Sequence, residues 1–141
     1  ENYLAGVAHT IEIGTLFGAA QDGRISSASR IDYAEAAARV LTSTVHDNQT
    51  YELAGSQSFS LSELATLIGQ AASKTINYQN LSAEEYTQGL IQASLPAGLV
   101  EVIVDADIQT IQGAMYSDSQ DLEQLIGRKT TNIQDAIKAA L

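Results

Sequence analysis

The chain has no cysteine and no tryptophan, one proline and one methionine among its 141 residues. Without cysteine there is no disulfide and no thiolate-bound metal, and the composition fits a reducing, cytoplasmic compartment. Positive charge is scarce as well: 7 Lys and Arg face 17 Asp and Glu, for a net charge of −10. A polyanion would meet a repulsive field, and Arg24, Arg30, Arg39, Lys74, Arg128, Lys129 and Lys138 form no stripe along which a phosphate backbone could run. Nucleic acid is therefore not an expected partner, and the acidity serves solubility. No apolar run approaches the ~20 residues of a membrane-spanning helix, and Glu1-Asn2-Tyr3-Leu4 lacks the basic flank and apolar core of a secretion signal. The sequons at Asn48 and Asn80 would matter only in a secretory pathway and are read as chance.

Catalytic signatures are missing too. Neither G-x-G-x-x-G nor G-x-x-G-x-x-G occurs among the ten glycines, there is no phosphate loop of the G-x-x-x-x-G-K-[ST] type, and no tyrosine is followed four residues on by lysine. His9 and His46 are the only imidazoles, away from any G-x-S-x-G elbow or H-x-x-x-H pair, so both are read as structural or solvated. Asp105 and Asp107 fall inside a predicted helix. Asp118, Asp121 and Glu123 occupy the first turn of another, where carboxylates complement the helix dipole. No metal site is expected.

What is present is an alternation of short strands and helices within one domain spanning residues 1–141. The spacing of Leu4, Val7, Ala8 and Ile11 predicts a helix over 3–13 that stops at Gly14. It opens without a capping residue, as if a preceding segment had been cut away. Leu16-Phe17 reads as a strand, Asp22-Gly23 as a turn and 25–29 as a second strand. A helix capped by Asp32 follows, burying Ala34, Ala37, Ala38 and Leu41. Thr50–Ala54 alternates as a strand. Ser60-x-x-Glu63 is a capping box before the stripe Leu61, Leu64, Ala65, Ile68 and Ala72. A strand over 75–79 precedes a second capping box, Ser82-x-x-Glu85. After Pro96, the residues Leu99, Val102, Ile103 and Ala106 predict a helix face that ends by Gly113. Helices over 117–126 and 131–141 complete about seven helices and four short strands.

Glu1-Asn2-Tyr3-Leu4-Ala5, the run GAAQDGRISSASRIDYAEAAARV from Gly18, Tyr51–Gly55, Tyr78–Ser82, Asp118-Ser119 and Leu125–Gly127 together resemble the NmrA-like branch of the atypical short-chain dehydrogenase/reductases. The likeness is particularly to the type 2 NAD(P)H:quinone oxidoreductases, and it covers only that family's C-terminal half. The resemblance implies an α/β fold: the C-terminal portion of a Rossmann-type reductase, a helix-rich lobe with a few short strands, lacking the N-terminal dinucleotide-binding half. It further implies NADPH or NADH as cofactor of the intact enzyme, with none held tightly by this portion, and a quinone-like substrate.

By the same resemblance the turn entering Glu1 and Asn2 passes beside the nicotinamide. Glu1 and Asn2 would then border the cofactor, with Tyr3 and Arg30 on the substrate side. Read from the residues alone, Glu1 and Asn2 could instead cap the first helix, and Arg30 could pair locally with Asp32 or a carbonyl. Tyr33, Tyr78 and Tyr86 could stack on a flat quinone or simply fill the core. Three functions remain open at this level. The first is the substrate lobe of an NAD(P)H-dependent quinone oxidoreductase, inactive alone. The second is a non-catalytic NmrA-like module that senses dinucleotides, and the third is a structural domain that self-associates through apolar area on its first helix and the Leu16-Phe17 strand. A homo-oligomer is expected.

Overall fold

Gly14 is where the first helix has to stop. Its φ of 72° lies in the left-handed region that glycine enters without steric cost, and its N–H closes the helix on the Thr10 carbonyl at 2.9 Å. In the computed structural model, which describes residues 1–141, that helix, α1, spans Val7–Ile13 and is preceded by a separate 3-10 turn, Asn2–Leu4. The single helix predicted over 3–13 is thus broken at Gly6, which carries the largest backbone entropy cost of any non-proline residue in a helix. Leu4, Val7 and Thr10 face inward.

β1 (Thr15–Gly18) pairs in parallel with β2 (Asn77–Asn80), with Thr15 opposite Asn77 and Gly18 opposite Asn80. The crossover between them carries α2 (Arg30–Leu41) and α3 (Leu61–Ala72). Two predicted strands do not form. Ile25 makes one antiparallel bridge, with Phe59. Ser26 donates its N–H to Met115 and accepts that of Gly55, both at 2.8 Å, so this extended segment spends its backbone groups on separate loops and not on one partner strand. Residues 50–54 join no ladder, and the Glu52 N–H goes to the Asp121 carboxylate at 2.9 Å.

α3 is the element the sequence announces most clearly. Ser60 Oγ accepts the Glu63 N–H at 3.2 Å, Glu63 Oε2 accepts the Ser60 N–H at 3.0 Å, and Leu61, Leu64, Ala65 and Ile68 are buried. The hydrogen bond from the Ser60 N–H, with the Arg24 guanidinium 2.7 Å away, holds the Glu63 carboxyl below its ordinary range. Ser60→Ala is expected to cost about 1 kcal/mol of stability, read as a lower urea midpoint at unchanged slope.

α4 (Ala83–Gln92) starts from the second capping box, and α5 (Ala97–Ile111) starts directly after Pro96. α6 (Asp121–Ile126) is shorter than predicted because Ser117 is exchanged between two bonds with Ser26: Ser117 N–H to Ser26 Oγ at 3.1 Å, and Ser26 Oγ–H to the Ser117 carbonyl at 2.8 Å. α7 (Ile133–Ala140) is capped by Asn132.

Two helices face differently from their predicted orientation. α2 is capped by Ser29 and begins at Arg30, so Asp32 is not the cap. Asp32 and Ala36 point inward, while Ala34, Ala37, Ala38 and Leu41 are exposed. α5 carries one polar stripe, Glu101, Asp105 and Gln109, spaced four apart, and its inner face is set opposite that stripe. Val100, Asp107 and Thr110 are buried, whereas Leu99 and Val102 are exposed.

α3 sits at the centre, packed on both strands, α1 and α7. Ile25, Phe59, Leu64, Ile68, Ile76 and Ile137 belong to the main core, and Ala36, Leu122 and Ile126 form a small satellite under α2 and α6. No helix is long and apolar enough to cross a membrane.

Candidate functional site

In parallel α/β folds the turns leaving the carboxyl ends of the strands diverge and leave room for ligands. Here the chain leaving β1, Gly18 to Gln21, is pinned from two sides: Ala19 N–H donates to Asp107 Oδ2 at 2.7 Å and Gln21 N–H to Asn80 Oδ1 at 2.8 Å. Asn80 Oδ1 also accepts the Tyr78 hydroxyl at 2.9 Å. Gln21 sits at φ 49°, a conformation a non-glycine residue adopts only under constraint. A Cβ on Gly18 would lie 2.6 Å from a Leu61 methyl, 3.1 Å from Asp107 Oδ2 and 3.2 Å from the Tyr78 ring, so strand end, carboxylate and phenol share one crowded corner.

Tyr78 from β2 stands at that corner, and two further phenols, Tyr3 from the 3-10 turn and Tyr86 from α4, are near enough to feel the Asp107 charge. Burial pushes all three hydroxyls above the ordinary tyrosine range and the Asp107 carboxylate pushes them further, although at Tyr78 the Ala20 and Gln21 N–H groups partly offset the rise. They remain protonated donors at neutral pH. Asp107 is itself raised by burial, partly offset by the Ala19 N–H.

Beyond Tyr3 the surface opens into a cavity of about 400 Å³ between α3, α7 and the loops at 27–29 and 56–59. Tyr3 and Phe59 meet there edge to face, ring centroids 5.9 Å apart. Glu1 and Tyr3 line this cavity. Asn2 and Arg30 lie next to them, Arg30 Nη2 donating to Asn2 Oδ1 at 2.9 Å. The Glu1 carboxylate accepts the Arg30 backbone N–H at 3.1 and 3.2 Å, so it serves the start of α2, and neither Glu1 nor Asn2 caps the first helix through its side chain. The four residues expected at the site are therefore brought together, and Arg30 pairs with Asn2 and not with Asp32.

Asp32 is occupied elsewhere. Burial acts to raise its carboxyl, but hydrogen bonds from Ser29, Thr131 and Arg128 outweigh it and hold it below the ordinary range. Tyr33 belongs to the satellite core, its hydroxyl accepting the Ala28 N–H at 3.3 Å. His9 is exposed beside Glu12, and His46 bonds Tyr51 at 2.7 Å in a separate surface cleft. No three His, Cys, Asp or Glu side chains are grouped to hold a metal.

The residue that sequence reasoning passed over is Asp107. Its signal is position: Glu101, Asp105 and Gln109, four apart, line one side of the helix, and Asp107 falls on the opposite side.

The parallel pair, the helical crossover and the helix-rich remainder are those of the C-terminal portion of a Rossmann-type reductase. No family model matches the chain. Over 97% of its length it is 40% identical to quinone oxidoreductase 2 of Escherichia coli, covering 48% of that protein, its C-terminal half. It superposes on the crystal structure of an Escherichia coli NADPH-dependent quinone oxidoreductase in complex with NADPH with a TM-score of 0.95 at 39% identity, over 98% of this chain and 49% of that one. With the Citrobacter triphenylmethane reductase the TM-score is 0.92 at 32% identity, over 96% and 47%. The chain thus spans about half the length of the relatives it matches. The resemblance to the NmrA-like reductases, and among them to the quinone oxidoreductases, is borne out over that half.

Proposed function

We propose that residues 1–141 act as one domain, the substrate-side lobe of an NAD(P)H-dependent quinone oxidoreductase, and that this lobe does not turn over substrate by itself. The observation that carries the reading is the cluster of protonated phenols around Asp107 at the carboxyl ends of two parallel strands, in a chain 40% identical to half of a quinone oxidoreductase. The sheet supports it: β1 pairs on one edge only, and a two-stranded sheet with Ile13 and Phe17 exposed beside it is a small platform that further strands would extend.

The dinucleotide's phosphates do not fit here. Backbone amides freed by a glycine loop are what hold a pyrophosphate, and Gly18 at the strand end is filled by Leu61, Asp107 and Tyr78. The flat reactive end of the cofactor is compatible with Glu1, Asn2 and Tyr3 beside the cavity, and when bound it supplies the hydride. This chain's residues then have two tasks. Tyr3, Arg30 and the cavity wall hold the flat acceptor within the ~3–3.5 Å at which hydride transfer proceeds. The protonated phenols donate hydrogen bonds to its oxygens as negative charge builds on them.

The test is to assay the chain alone and fused to the N-terminal half of the Escherichia coli relative, following NADPH oxidation with and without a small quinone. The fusion is expected to oxidise NADPH only when quinone is present, and the chain alone not at all. Turnover by the chain alone would overturn the lobe reading. A folded fusion that binds NADPH without turnover would favour the dinucleotide-sensing module.

A further inference from the structure

Lys129 is the one cation of this chain whose side chain has no acceptor. Arg24, Arg39, Arg128 and Lys138 meet carboxylates, Arg30 meets the Asn2 amide oxygen, and Lys74 donates to the Ile11 carbonyl at 3.3 Å. Lys129 lines the cavity of about 400 Å³, and three segments are stapled together beside it. Gly55 N–H donates to the Ser26 carbonyl at 2.8 Å, Ser56 N–H to Thr130 Oγ1 at 2.9 Å and Thr130 N–H to Ser56 Oγ at 3.0 Å. Ser27, Gln57 and Lys129 each stand one residue from those bonds, and all three line the cavity, as does Ser58.

The unspent groups on that side of the cavity are donors. The Ser27, Gln57 and Ser58 N–H groups have no acceptor within the chain, and a half-buried N–H requires a partner. Other hydroxyls of the wall are committed: Ser29 donates to Asp32, Ser58 Oγ accepts the Arg24 guanidinium, and Thr66 donates to the Ser62 carbonyl. The two carboxylates of the rim are committed as well, Glu1 to the Arg30 N–H and Glu63 to the Ser60 N–H and Arg24. Since Arg24 and Arg30 offset those two acids, Lys129 leaves the rim with a local excess of positive charge in a chain of net charge −10. The rest of the wall is apolar, with the Tyr3 and Phe59 rings edge to face at 5.9 Å beside Leu67 and Ile133.

We propose that this cavity selects flat aromatic acids, holding a sulfonate or carboxylate with Lys129 and the Ser27, Gln57 and Ser58 donors, and the ring against Tyr3, Phe59, Leu67 and Ile133. This rests on the lobe reading above and deepens it, by naming an anionic ring as the acceptor class. A sulfonate or carboxylate offers only acceptor oxygens, so one such group satisfies several of these donors at once, and its bond to an ammonium is charge-assisted. Lys129 is a specificity residue in this scheme and takes no part in hydride transfer.

The test needs no turnover. Binding of anthraquinone-2-sulfonate and of the neutral 2-(hydroxymethyl)anthraquinone to this chain is followed without NADPH, through the Tyr3 ring resonances. Saturable shifts are expected with both, the sulfonate binding about tenfold more tightly. Lys129→Gln is expected to weaken the sulfonate about fivefold and spare the neutral ring, and Lys129→Arg, which keeps the charge, to stay within about twofold of the parent. Lys138→Gln removes a charge of α7 that lies outside the cavity, and is expected to change neither ligand. The absence of saturable binding, equal affinities in the parent, losses shared by both ligands, or the same loss from Lys138→Gln would overturn the site. Inorganic phosphate binding as tightly as the sulfonate would overturn the assignment to a ring. Discrimination between the two ligands with an inactive fusion would leave the site standing and sink the reductase reading. An active fusion with no preference for the sulfonate would do the opposite.

Discussion

Asp32→Ala is expected to lower the free energy of unfolding by about 3–5 kcal/mol, a large part of the ~5–15 kcal/mol that a domain of this kind possesses. The side chain is fully buried and is the meeting point of segments a hundred residues apart. Oδ2 accepts the Ser29 hydroxyl at 2.8 Å and the Thr131 N–H at 2.9 Å, and Oδ1 accepts the Thr131 hydroxyl at 3.3 Å and lies 2.8 Å from Arg128 Nη2. Truncation strands the Thr131 N–H, leaves Arg128 to Glu35 alone, and releases the chain that carries α7 back onto the core. Urea unfolding measures the loss, and a cost under ~1 kcal/mol would show that water replaces the carboxylate without penalty. The pH dependence follows from the sign of its shift. The folded-state pKa is depressed, so the stabilisation is complete above the unfolded carboxylate value near ~4 and is lost as pH falls through the folded value beneath it. Asp32→Asn is expected to flatten that acid branch, giving a smaller loss of stability below pH ~4 than in the parent chain.

Gly55→Ala is expected to cost about 3 kcal/mol. A Cβ at Gly55 would collide with the Ser27 carbonyl oxygen and lie 2.9 Å from the Ser27 carbonyl carbon, a backbone that no rotamer change can move aside. The close approach is held on both flanks. Gly55 N–H donates to the Ser26 carbonyl at 2.8 Å, and the next residue exchanges two bonds with Thr130, from Ser56 N–H at 2.9 Å and from Thr130 N–H at 3.0 Å. Gly89→Ala is the matched comparison, since its Cβ would meet nothing within 4 Å inside α4, and a gain of up to ~1 kcal/mol from helix propensity is expected. Equal effects at the two positions, read from thermal or urea unfolding, would refute the packing argument.

These expectations rest on contacts of unequal legibility. Ser60 with Glu63 and Ser82 with Glu85 were readable because a capping box is a contract between residues three apart. Gly14 and Gly113 were readable because left-handed φ at a helix end is a property of one residue. Asp32 was misassigned as a cap since Ser29, three residues earlier, also satisfies the rule, and only the position of Thr131 and Arg128 decides which side chain turns inward. The 25–29 segment looked like a strand because its extended backbone is real, but its partners are Gly55, Phe59 and Met115, and nothing local specifies them.

The site divides in the same way. Glu1, Asn2, Tyr3 and Arg30 were singled out by resemblance, and the fold brings them into hydrogen-bonding contact or along one cavity wall. The inward side of Asp107 is legible from its place opposite the polar stripe of α5, but the group it meets there, the Ala19 N–H, comes from 88 residues away and nothing local specifies it.

The sequence by itself determined the absence of disulfides and glycine phosphate loops, the acidic surface, the existence of seven helices with most of their ends, and the half of a reductase that the chain resembles. Composition, single-residue conformational preference and contacts three or four residues apart are all encoded within one helical turn. Only the tertiary structure decided that the sheet has two strands, which face α2 presents to the core, that Asp32 latches the C-terminal segment, and that Asp107 ties α5 to the turn after β1. Each of those depends on pairing residues tens of positions apart, where the choice is made by which groups can be buried with all their hydrogen bonds satisfied at once.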